Sequence, residues 1–244
     1  MVTDLIKSIQ SYSKASSLIF KPWAIKYLIL SAVVSLFFAV VFILAIYFFG
    51  DDLGQRFYQL LPFNSDIKWL SDVLQWATRI ILWLSIIFIF KYVILIVTAP
   101  IMSLLSETVE KKLKHRSIPS LSIKQQIKSM LRGTVLALSN IIREIIITIP
   151  LLIIGLFSGL AIFITPLLYI IQSYYAGFGN YDFFMERRFN IKESRRFMNS
   201  HKGLAIGNGA IFLFILFIPI IGVLVAPALS TVAATVSSLE ILEE

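Results

Sequence analysis

The sequence contains no cysteine, which excludes disulfides, thiol catalysis and cysteine metal sites. Charge is scarce as well: 15% of the 244 residues are Asp, Glu, Lys or Arg, against about 25% in an ordinary soluble domain. Residues 145–181 and 203–239 contain none of these four types over 37 residues each. The only two histidines, His115 and His201, both lie inside basic segments, where a solvated ring is the simpler reading than a ligand. No Ser–His–Asp set, paired carboxylates or metal-ligand spacing accompanies the apolar blocks, so neither an enzyme nor a metal or other cofactor is expected. A Walker A phosphate loop is missing too, which argues against ATP-driven transport by this chain alone. Residues 1–21 lack a continuous apolar core, and no signal peptide is expected there.

What is present is apolar. Hydrophobic residues make up 58% of the chain and mean hydropathy is +0.85, which soluble folds have no use for. The net charge of +8 resides in short segments flanking apolar runs. Anionic headgroups and the positive-inside rule account for that distribution, and a nucleic-acid partner is not expected. The expectation is one membrane domain over residues 1–244. Its fold class is all-α, with two long transmembrane helices, two Pro/Gly-broken helical hairpins that are partly inserted, and short amphipathic interfacial helices.

Residues 2–20 read as an interfacial helix, with Val2, Leu5, Ile6 and Ile9 at helical spacing. Pro22 suits the first position of a new helix, because it has no N–H to leave unsatisfied. The first span is placed at 23–50 and an acidic connector at 51–72. A second span follows at 80–106, with Lys91 inside it. Ser122 and Gln125 have capping-box spacing, opening an amphipathic helix at 121–144. Residues 145–181 form a first hairpin punctuated by Pro150, Gly155, Gly159 and Pro166. Asn190 and Glu193 mark another helix start. Residues 203–239 form a second hairpin, with Pro219, Gly222 and Pro227 expected at its turn. Charge counting puts the basic segments on the cytoplasmic side and the connector on the other. Legs of about 15–18 residues are at the lower limit for crossing, so length favours partial insertion over four full crossings.

Three constellations could carry function. Lys21 and Lys26 bracket the start of the first span, where free backbone N–H groups near Trp23 and a partial positive charge would stabilise an oxyanion; ordinary lysines holding lipid phosphate are the alternative. Lys91 at mid-span must be paired, snorkelling or facing water. Non-helical backbone near Pro166, Pro219 and Gly222 would line a solute pathway or be sealed by packing. The Gly155-x-x-x-Gly159 and Gly203-x-x-x-Gly207 spacings point to close helix approach.

Several segments together resemble the CysZ/EI24 family of sulfate transporters and their eukaryotic relatives. They are Ile19-Phe20-Lys21-Pro22 before the first span, Ala99-Pro100-Ile101-Met102-Ser103 after the second, Arg143-Glu144, Tyr181-Asp182, and His201-Lys202-Gly203-Leu204-Ala205 leading to Ile218-Pro219 and Val225-Ala226-Pro227. The resemblance implies an oligomeric inner-membrane protein that takes up sulfate for cysteine synthesis. In that family a sulfate-contacting basic pair precedes the proline of the first span; here the positions read Phe20-Lys21, one positive charge short, with Lys26 in reach to compensate. The leading expectation is therefore a sulfate-type anion transporter or channel among membrane lipids, working as a homo-oligomer. A non-transporting protein that scaffolds partners or remodels the bilayer is the rival.

Overall fold

The computed structural model describes residues 1–59, 92–114, 123–158, 161–218 and 220–242, and all regular secondary structure among them is helical. In chain order the helices are α1 (Val2–Ile19), α2 (Pro22–Gln59), α3 (Tyr92–Lys114), α4 (Ile123–Ser158), α5 (Ala161–Met185), α6 (Ile191–Ser200), α7 (Lys202–Leu216) and α8 (Ile221–Leu242). Helix α2 begins at Pro22, as expected, and the Lys21 carbonyl accepts from the amides of Ala24 and Ile25 at 2.8 and 2.9 Å. Helix α6 begins with a complete capping box: Asn190 Oδ1 accepts from the amides of Lys192 and Glu193, and Glu193 Oε2 accepts from the Asn190 amide.

Helix α8 is the centre of the bundle. Within its apolar window 72% of residues are buried, against 17% for α2 and for α4, so α2 and α4 form the outer wall. Their exposed side chains, Ile29, Val33 and Phe37 on α2 and Leu131, Val135 and Ile142 on α4, suit hydrocarbon. The inner face of α8 is made of small residues, among them Ser230, Thr231, Ala233, Ala234 and Ser237, which let neighbouring backbones come close. Helix α7 crosses α5 where Gly177 and Gly209 meet: a Cβ on Gly177 would lie 1.9 Å from the Ala205 carbonyl oxygen. Gly203 and Gly207 receive α1, since added Cβ atoms would lie 2.1 Å from Met1 O and 3.0 Å from Ser8 Cβ. That spacing packs helices, as expected; Gly159 of the other pair lies outside the described residues.

Several expected boundaries change. Helix α1 is docked on α7 and α8, and by a different face from the one its apolar spacing marks. Its buried face is Ser8, Ser11, Tyr12, Ala15 and Ile19, whereas Val2, Ile6 and Ile9 are exposed. Ser8 Oγ donates to Leu204 O at 3.0 Å, and Tyr12 Oη donates to Asn208 O at 2.8 Å and lies 2.8 Å from Ser230 Oγ. In lipid the apolar stripe has no reason to turn inward, so small size and hydrogen bonding select the packed face.

The expected amphipathic helix 121–144 and the first hairpin leg are one continuous helix, α4, with Pro150 inside it. Pro166 is likewise inside a helix, α5, and its backbone is not the expected break. Pro227 sits within α8 rather than at the turn. The turn of the second hairpin lies between Leu216 and Ile221, with Ile220 at φ 65°, a left-handed conformation that a β-branched residue adopts only under constraint. Helix α2 continues past Gly50 to Gln59, about 57 Å, and α3 continues past Glu107 to Lys114. Among the described residues four helices are long and apolar enough to cross a membrane: Pro22–Leu44, Tyr92–Lys114, Leu131–Ile154 and Ile221–Leu242. Helix α7, with 15 residues, is only about 22 Å long, so the legs of the second hairpin are unequal.

Candidate functional site

Lys21 directly precedes α2, and Trp23 and Lys26 lie in its first two turns. Lys21 and Lys26 are exposed, and Trp23 is half-buried against the core formed by α1, α3 and α8. Among the described residues neither lysine has a carboxylate partner, and Lys26 Nζ lies 4.9 Å from the centroid of the Tyr27 ring. Tyr27 Oη in turn accepts from Thr108 Oγ1 of α3 at 3.1 Å. The expected array of free amides is smaller than its sequence suggests. Pro22 has none, Ala24 and Ile25 donate to Lys21 O, and Trp23 is the first-turn amide left without a backbone acceptor among the described residues. The remaining pathway candidates divide. Lys91 and Pro219 lie outside the described residues. Pro166 is exposed on a helix. Gly222 is buried, and a Cβ there would lie 2.2 Å from Ile215 O, so this glycine closes the hairpin by packing.

A second constellation was not legible as a site in the sequence. On the far side of the same stretch of α3, residues 103–110, a network of arginines and carboxylates is buried. Arg187 Nη2 reaches Ser106 Oγ at 3.0 Å and Glu110 Oε2 at 3.3 Å, and Arg188 also pairs with Glu110. The side chains of Arg187 and Glu110 are only 8% and 4% exposed, too little for water to replace a lost partner. Arg132 of α4 holds Asp182 at 2.9 Å and donates to Ser194 Oγ of α6 at 2.5 Å. Glu186, just beyond the end of α5, accepts from Ser103 Oγ. Burial raises the Glu186 carboxyl to about 7, the Ser103 bond opposes the shift, the Asp182 carboxylate adds to it, and Arg187 and Arg132 oppose it. Gly133 makes room for this carboxylate, because a Cβ there would lie 3.3 Å from Glu186 Oε2.

Two spaces adjoin the network. An open cavity of about 700 Å³ is lined by Lys128, Arg132, Glu186, Arg187, Arg188 and Lys192, with 189–191 completing the wall. A smaller one of about 50 Å³ lies between α3, α4 and α5, with Tyr92, Asn140, Asp182 and Glu186 on its wall. Glu186 is common to both. The one signal for this site in the sequence was Asp182 and Glu186 one helical turn apart, at the border of a charge-free run.

The family described as "Sulfate transporter CysZ/Etoposide-induced protein 2.4", EI24, matches residues 11–227. The chain belongs to the EI24 family. The match runs from the packed face of α1 through Pro227 of α8, so it covers the head of α2 and the whole arginine–carboxylate network. Comparison with individual curated proteins gives no match. Several apolar helices of spanning length make this EI24 protein an integral membrane protein. Among the described residues no group of three His, Asp or Glu side chains could hold a metal ion.

Proposed function

We propose that this EI24 protein is a sulfate-type anion transporter or channel of the bacterial inner membrane, supplying sulfate for cysteine synthesis. Its membership of a family described as sulfate transporters, over residues 11–227, carries the reading. The head of α2 supports it: Lys21 and Lys26 are exposed and carry no carboxylate partner among the described residues, and the Trp23 amide is spare. A tetrahedral oxyanion arriving there meets two ammonium groups, one N–H and the positive end of α2. The deficit of one charge at Phe20 is met by Lys26, one turn into the helix.

The basic segments lie on the cytoplasmic side and the hairpins enter the bilayer without emerging. The tip of the second hairpin favours that arrangement. Phe214, Phe217, Ile218, Ile220 and Ile221 are all exposed there, and a tip emerging on the far side would put them in water. Helix α2 presents most of its apolar surface outward, which suits lipid and the neighbouring subunits of a homo-oligomer.

Radiolabelled sulfate flux into proteoliposomes tests the proposal. Flux above that of empty vesicles is expected, with a roughly tenfold weaker sulfate affinity in Lys21→Ala, the size of one charged hydrogen bond. Flux equal to empty vesicles overturns the function; unchanged affinity in Lys21→Ala overturns the site alone.

A further inference from the structure

The cavity of about 700 Å³ at the junction of α4, the end of α5 and α6 is not needed for anion capture at the head of α2. Its charge is unbalanced. Glu110 serves both Arg187 and Arg188, and Asp182 serves Arg132. Among the described lining residues, that leaves one guanidinium and the ammonium groups of Lys128 and Lys192 against the single carboxylate of Glu186. Lys128 and Lys192 are exposed and carry no ion pair among the described residues. Among the described residues the buried Arg132 Nε has no hydrogen-bond partner.

The surroundings say which kind of anion this is. Lys128 is followed on the same face of α4 by Leu131, Val135, Leu138 and Ile142, which are 64%, 55%, 49% and 58% exposed. The charged cavity therefore opens at the head of an apolar track that runs down the outer wall of the bundle. A small soluble ion would use the charge and ignore the track. A molecule with an anionic head and long apolar tails uses both.

We infer that this cavity binds the phosphate headgroup of an anionic phospholipid, with Lys128 and Lys192 as its direct ligands and the tails lying along Leu131, Val135 and Leu138 of α4. A phosphodiester between the two lysines ties α4 to α6, beside the Arg132–Ser194 bond that already joins these helices. The lipid thus fixes the arginine network from its open side. The inference stands whichever solute the protein carries.

The test is native mass spectrometry of the purified full-length chain in detergent, titrated with phosphatidylglycerol or with phosphatidylcholine of the same tails. Selective retention of phosphatidylglycerol is expected. Lys128→Gln combined with Lys192→Gln should weaken it about thirtyfold, about fivefold for each lysine at a membrane surface. Lys202→Gln, an exposed lysine outside the cavity, should leave it unchanged. Both sites of the double variant are on the surface, and an unchanged melting temperature in detergent shows that it is folded. Equal retention of the two lipids overturns the inference, as does wild-type retention in the double variant. A third arm adds sodium sulfate to delipidated protein: a sulfate-induced rise in melting temperature that the double variant loses, without lipid selectivity, would assign the cavity to a free oxyanion instead.

Discussion

Gly177 and Gly179 lie two residues apart on α5, and alanine should act in opposite directions at the two. A Cβ on Gly177 would lie 1.9 Å from the carbonyl oxygen of Ala205, 2.7 Å from its carbon and 2.9 Å from the Gly209 amide nitrogen, all backbone atoms of α7. Ordinary contact begins near 3.4 Å, so α5 and α7 would have to part by about 1.5 Å along a crossing that also packs Phe178, Phe212 and Leu213. On Gly179 the nearest atom to a new Cβ is the flexible end of Leu95, 3.8 Å away. Alanine gains about 1 kcal/mol of helix propensity at either position. At Gly177 the overpacking penalty of about 1–3 kcal/mol, with rigid backbone pushing it to the upper end, exceeds that gain. At Gly179 nothing opposes it. Unfolding of both variants in mixed detergent micelles, followed by near-ultraviolet circular dichroism, should show Gly177→Ala destabilised by about 2 kcal/mol and Gly179→Ala neutral or slightly stabilised. Gly177→Ala as stable as Gly179→Ala would refute the close crossing of α5 and α7.

Glu110→Gln should cost about 3 kcal/mol in the same unfolding assay, because two guanidinium groups, one of them nearly inaccessible to water, lose their carboxylate together; a change under about 1 kcal/mol would mean that Arg187 finds another anion. The Glu186 carboxyl titrates near 7 in the folded protein against 4.5 ordinarily, so between these values the folded state holds a proton that the unfolded chain has lost, and stability falls as pH rises through that window. Glu186→Gln should flatten the decline; an identical pH profile would place its origin in another group. The chain lacks cysteine, so single cysteines at Ser158 and Ile220 can be tested with membrane-impermeant reagents. Both should resist labelling from the side opposite the basic segments, and ready labelling there would establish full crossings.

Much of the fold was legible because local chemistry writes it directly. Pro22 suits only the opening of a helix, Asn190 and Glu193 have the spacing of a cap, and runs of 37 uncharged residues mark a membrane protein. The anion candidates at the head of α2 were legible for the same reason, since Lys21, Trp23 and Lys26 are near neighbours in sequence. The arginine–carboxylate network was not. Glu110, Arg132, Asp182, Glu186 and Arg187 come from three helices and the segment after α5, and looked like separate flanking charges until the bundle joined them.

The sequence by itself determined that this is a helical membrane protein and where most helices begin, because these follow from hydropathy and capping along one dimension. Tertiary structure decided which face of each helix is inside. In a bilayer, water does not drive apolar stripes inward, so α1 buries Ser8 and Ser11 and leaves Ile6 and Ile9 outside. That choice depends on a hydrogen bond from Ser8 to Leu204 O and on the room left by Gly203 and Gly207, nearly two hundred residues away.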